Sequence, residues 1–300
     1  MLEFEIPDSR NLTPRNIKFL KLMEDHPEMF YDDFKIVQAY GCPEGSIWNG
    51  GRYNPGEYSI NMVNEMLDVY DSYGVKFAFT FTNLLLEKVH MYDTYSNMIA
   101  KKGNRSGNSV ISATQVMTDW IRENYSNYDI VESITQKLEF DELCERSADK
   151  ITVVPVTLNK DFDKLSRFRN PENLMILVNE PCVDNCPYKK AHYWWSSKMN
   201  LYMTDCNFSC KSKIVIGNNL YDEIDKQVHA VHREDIQKYL DLGINKFKIS
   251  GRCDDQEVSL HTMLHFFVKP EFREYISAQV TMITMQDWNW NWVPMFRDAV

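Results

Sequence analysis

The sequence predicts a (β/α)8 barrel, a single α/β domain built from repeated strand–helix units. Three observations point there. Short apolar runs alternate with longer amphipathic ones, the pattern that builds parallel sheets through right-handed crossovers. Eight such runs match the unit count and the roughly 250-residue size of that barrel. No Pro/Gly/Ser-rich linker or shift in composition divides the 300 residues. A doubly wound open sheet is the alternative, because alternation alone does not dictate closure.

The strand candidates are Phe34–Ala39, Val75–Phe81, Asn108–Ser112, Asp129–Ser133, Ile151–Pro155, Leu174–Val178, Ser212–Ile216 and Asn245–Ser250. Each is short, rich in Val, Ile or Phe, and bounded by polar residues or Gly, as buried strands are. Between them, Tyr58–Tyr73 sets Ile60, Val63, Met66, Leu67 and Tyr70 on one helical face and stops at Gly74. Leu84–Lys101, Ala113–Asn124, Lys160–Phe168 and Arg233–Leu242 repeat that pattern. Residues 1–33 read as an N-terminal extension. Residues 284–300 read as a tail whose Trp288, Trp290 and Trp292 suit a barrel-end cover or an oligomer contact.

Composition narrows the function classes. With 44% apolar and 25% charged residues, the chain is neither disordered nor fibrous. Its 43 acids against 33 bases give a net charge of -10, which disfavours non-specific nucleic-acid binding. No apolar run reaches the roughly 20 residues of a membrane span. The opening MLEFEIPDSRNLTPRN lacks the apolar stretch of a secretory signal, so a cytoplasmic protein is expected. Seven cysteines, an odd number, argue against a disulfide framework.

Four of those cysteines are bunched. Cys182 and Cys186 enclose three residues, as do Cys206 and Cys210. The first pair follows the candidate strand Leu174–Val178 at its C-terminal end, where barrel enzymes build their sites. Thiolates hold iron–sulfur clusters or zinc, and this spacing leaves both open. The stretch from Cys182 to Lys211 is too long for an ordinary βα connection. His192 lies inside it. The pairs His229/His232 and His261/His265 can each share a helix face, but HTMLH lacks the Glu of H-E-x-x-H.

Two further segments carry polar groups. In LGINKFKISGRCDD, Lys246, Lys248 and Ser250 alternate with Phe247 and Ile249. The apolar set should face the helices and the polar set the barrel interior or rim. Arg252 follows, a guanidinium suited to a carboxylate or phosphate. In YGCPEGSIWNGGRYNPGEY, Gly50 and Gly51 allow a tight turn or close backbone approach, and Arg52 suits an anionic ligand. The pattern is not the G-x-G-x-x-G of a dinucleotide site.

GINKFKISGR resembles the G-V-x-S-x-K-I-E-G-R signature of the collagenase-like U-type peptidase family. That family also holds the oxygen-independent hydroxylases of ubiquinone, transfer RNA and ribosomal RNA. The segment Cys206–Lys211 is similar to the family's C-x3-C-R, and FAFTFTNLLL, with Asn83 in it, resembles its second strand. The resemblance implies a TIM-like barrel, a [4Fe–4S] cluster on Cys182, Cys186, Cys206 and Cys210, and hydroxylation of an aromatic or nucleobase substrate. Arg252, Asn83 and Asn179 are then the expected catalytic groups, and Arg52, Lys248 and His192 the expected substrate-binding ones.

Three positions depart from the pattern. Ser250 stands where the family has Glu, and the first cysteine pair is closer than the family's usual six-residue gap. No cysteine lies in Leu220–His232, which makes Cys253 a candidate substitute for Cys206 or Cys210. The rival reading is a non-enzymatic barrel, stabilised by a cluster or zinc, acting as a subunit or binding partner. A peptidase ranks last, because no nucleophile signature is present.

Overall fold

Alternation of side chains decides which way each strand faces, and here it builds a barrel. The computed structural model describes residues 1–8, 12–54, 56, 58–133, 139–180, 182, 186–203, 225–251 and 256–286. Arg252, Cys206, Cys210, Cys253, the candidate strand Ser212–Ile216 and the three tail tryptophans lie outside them. In chain order the elements begin with β1 (Leu2–Pro7), α1 (Thr13–Asp25), β2 (Phe34–Gly41), α2 (Ile60–Ser72), β3 (Lys76–Phe81) and α3 (Thr94–Gly103). They continue with β4 (Ser109–Ser112), α4 (Gln115–Asn124), β5 (Asp129–Glu132), α5 (Phe140–Ser147), β6 (Thr152–Val154) and α6 (Phe162–Leu165). Last come β7 (Leu174–Leu177), α7 (Lys189–Tyr202), α8 (Ile236–Asp241), β8 (Lys246–Lys248), α9 (Gln256–Phe267) and α10 (Arg273–Gln286).

The eight strands run in the order β5-β4-β3-β2-β1-β8-β7-β6, every neighbouring pair parallel. This is the circular order of a TIM-like (β/α)8 barrel, nearly closed, with the seam between β5 and β6. It contains no reversal of the kind a doubly wound sheet requires.

One expectation is corrected. Residues 1–33 are not an extension, because Leu2–Pro7 is a strand seated between β2 and β8. Leu2, Phe4 and Ile6 are buried toward the helices, while Glu3 and Glu5 take the opposite face. Charged residues on an inward face hide a strand from any search for continuous apolar runs. With β1 counted, Leu174–Leu177 is the seventh strand and the cysteine stretch follows β7.

The helices shift in predictable ways. Leu84–Lys101 is not continuous: Asp93 ends a 3-10 turn, and its carboxylate accepts from Ser96 N at 2.7 Å to start α3. Only Phe162–Leu165 of the stretch Lys160–Phe168 is α-helical. Outside the sheet the core is aromatic. The Phe4 ring stacks on Phe247 at 5.3 Å and meets Phe267 edge-on at 4.9 Å. Burying each such ring contributes about 1.5–3 kcal/mol. Among the described residues no helix is long and apolar enough to cross a membrane.

Candidate active site at the barrel mouth

The strand ends converge on one cavity of about 160 Å³. Tyr40 of β2, Thr80 of β3 with Thr82 beyond it, Ser133 after β5, Glu180 after β7 and Ser250 after β8 all line it. These are C-terminal strand ends, the face on which barrel enzymes place their chemistry. Val131 of β5 and Val153 of β6 also line it, so the cavity reaches both sides of the seam.

Inside the barrel, Lys248 follows the alternation read from its strand. Phe247 and Ile249 are buried toward the helices, and Lys248 turns inward. Its ammonium lies over the Tyr40 ring, 3.7 Å from the centroid, and pairs with the Glu5 carboxylate. The Tyr40 hydroxyl in turn donates to Ile249 O at 2.7 Å.

The cysteine wall follows β7. Cys182 and Cys186 both line the cavity, together with His192 and Tyr193 of α7. Glu180, which is buried beside the half-buried Cys182, accepts from the Cys182 amide at 3.1 Å. Burial, reinforced by the Glu180 carboxylate, pushes the Cys182 thiol up to about 12, against the opposing pull of Lys189 and Arg52. Burial outweighs the two cations, and Cys182 is a neutral thiol at pH 7.

Helix α7 does not stay beside β7. Its C-terminal half crosses to loops that follow β2 and β3. Asn200, buried, donates through Nδ2 to Arg52 O at 2.6 Å and to Asn49 O at 3.1 Å, and accepts from Asn54 N at 3.0 Å. Ser197 accepts through Oγ from Leu84 N at 3.0 Å. The loop after β2 fits because of its glycines: a Cβ on Gly50 would lie 2.1 Å from Thr82 O, and Gly51 takes φ 73°. Arg52 is thereby held on the wall that faces Cys182.

The structure sorts the sequence-predicted residues. Arg52, Lys248, His192, Cys182 and Cys186 share the one cavity. Asn83 and Asn179 do not line it. The Asn83 amide donates to Ile47 O at 2.8 Å and Ser197 O at 2.9 Å, anchoring α7. Asn179 ties β7 to β8, donating to Ser250 O at 3.0 Å and accepting from Ser250 N at 2.6 Å. Both amides brace the mouth from behind its wall.

Sequence reading missed Glu180, Lys189 and the tyrosines Tyr40, Tyr188 and Tyr193. Glu180 alone carried a signal, as a charged residue two positions beyond an apolar strand.

The histidines pair across elements rather than along them. His232 and His265 meet at 6.2 Å between ring centroids, with Glu234 close by. His265 Nε2 accepts from Arg233 N at 3.1 Å, which commits the lone pair that a metal would need. This group fastens the start of α8 to α9.

No protein-family model and no curated protein sequence matches the chain. Among solved structures, the U32 peptidase Mk0906 superposes with a TM-score of 0.50 at 14% identity, covering 84% of this chain and 94% of its own. The HpcH/HpaI aldolase from Desulfitobacterium hafniense DCB-2 is 9% identical over 94% of this chain and 92% of its own, at a TM-score of 0.33. At 14% identity the first comparison speaks for a shared fold, and at 0.33 the second supports no inference.

Proposed function

We propose that the chain is a barrel enzyme of the U32 group that binds a [4Fe–4S] cluster at its mouth and hydroxylates an aromatic or nucleobase substrate without dioxygen. One observation carries this reading: Cys182 and Cys186 line the same strand-end cavity as Tyr40, Tyr188 and Tyr193. Soft thiols beside a cavity walled by aromatic rings suit a sulfur-ligated centre next to a planar ligand.

Two thiols of the proposed ligand set, Cys182 and Cys186, line the cavity. A buried thiol beside a carboxylate resists ionising alone, and a bound iron centre supplies the positive charge that makes it a thiolate ligand. Cys206 and Cys210 complete the proposed ligand set. When bound, the cluster supplies electron transfer at the cavity wall. In the overall change a C–H bond becomes C–OH, and an oxygen-atom donor gives up its oxygen and leaves reduced by two electrons.

The chain's own side chains bind and orient. Arg52 and Lys189 offer positive charge to a ligand oxyanion, and the tyrosines offer flat apolar faces. A peptidase reading ranks last, because the sequence carries no nucleophile signature. The test is iron and acid-labile sulfide after anaerobic isolation. Four of each per chain are expected; zinc or metal-free thiols contradict the reading.

A further inference from the structure

Glu5 belongs to no motif, yet it stands at the centre of the barrel. It faces Lys248 in the β1/β8 register, and both residues are buried. Glu5 Oε2 accepts from the Lys248 ammonium, and the Tyr40 ring covers that ammonium from β2. On the other side of β8 the facing residue is Leu177 of β7. Of the two flanking strands, β1 therefore supplies the charge matched to Lys248. Lys248, Tyr40 and Leu177 line the mouth cavity, whereas Glu5 does not.

We propose that Glu5 is a positioning residue for the mouth, holding Lys248 as a fixed ammonium at the cavity floor. The proposal rests on the mouth being the working site. A buried lysine with no counter-charge loses its proton readily, with shifts of up to about 3–5 pH units when fully buried. The carboxylate and the electron-rich ring face both favour the charged form.

The fold alone does not account for the pair. A buried ion pair is weak evidence of stabilisation and is often replaceable by apolar residues without loss. Register between β1 and β8 is already set by the Phe4–Phe247 stack on the outer face. What the pair does supply is a paired ammonium on the cavity lining, where a ligand meets the barrel interior.

The experiment is acetic anhydride labelling of the full chain across pH, read lysine by lysine by mass spectrometry. In Glu5→Gln the Lys248 profile should move at least one unit to lower pH, while that of exposed Lys190 stays put. Glu5→Asp, which keeps the carboxylate, should restore most of the original profile. It serves as the working variant if Glu5→Gln does not fold, and Lys248 must then still label near the parent pH. An unmoved Lys248 profile in folded Glu5→Gln overturns the proposal, as does a Glu5→Asp profile displaced by a full unit. Iron content of the unmutated chain is measured alongside. Missing iron overturns the cluster reading and leaves the labelling result standing.

Discussion

Glu5 and Lys248 face each other across β1 and β8, as one rung of a ladder whose other rungs are Glu3–Lys246 and Phe4–Phe247. Charged rungs turn inward and the aromatic rung turns out. One partner removed leaves the other charge buried alone, which costs about 3–5 kcal/mol. Lys248→Met should therefore lose stability on that scale in urea unfolding, and Glu5→Gln combined with Lys248→Met should regain most of it. A double-variant loss equal to the sum of the Glu5→Gln and Lys248→Met losses would show that the pair is not coupled.

Asn200 is the corresponding test for the bridge that α7 makes. Its side chain satisfies the backbone of Asn49, Arg52 and Asn54. Asn200→Ala leaves buried backbone groups unpartnered, at about 1–3 kcal/mol. Hydrogen exchange at the Asn54 amide should accelerate at least tenfold, with the β1–β3 amides unchanged. Unchanged exchange at Asn54 would remove the bridge.

Gly50 packs its backbone against Thr82. Gly50→Ala forces that contact apart, and strain of this kind costs about 1–3 kcal/mol. A lower melting temperature with loss of Arg52's place at the mouth is expected. A variant as stable as the parent would show that the loop yields freely.

His265 supplies a pH dependence. Burial, with Arg273 adding to it, holds its pKa below the ordinary 6.5, while Glu234 and Asp225 oppose the shift. The unfolded chain then binds the proton more readily, so stability falls as pH drops below about 6.5 toward the folded value. His265→Gln, which keeps an acceptor for Arg233 N, should flatten that part of the urea-midpoint curve. An unaltered slope would assign the dependence elsewhere.

Much of the barrel was legible because most inward and outward faces obey simple alternation. Val75–Phe81 and Leu174–Val178 announce themselves by apolar runs. β1 does not, yet its Glu-Phe-Glu at residues 3–5 complements the Lys-Phe-Lys at 246–248. That match, charge opposite charge and ring opposite ring, was the signal available for the missing strand.

At the mouth, Arg52, Cys182 and Cys186 could be read from position after a strand, Lys248 from the alternation within one, and His192 from its place in the cysteine stretch. The bracing roles of Asn83 and Asn179 could not. A buried amide's partners are backbone carbonyls, such as Ile47 O and Ser197 O, that only folding brings near. The crossing of α7 was hidden for the same reason, since Ser197 and Asn200 sit in its sequence as ordinary polar residues.

The most direct measurement is the iron content of anaerobically isolated Cys182→Ser/Cys186→Ser beside that of Cys42→Ser/Cys144→Ser. Cys182 and Cys186 line the mouth, whereas Cys42 and Cys144 do not. The first variant should lose its iron and its visible absorbance, and the second should keep the full amount. Iron retained without Cys182 and Cys186, or none in the unmutated chain, would contradict a cluster at the barrel mouth.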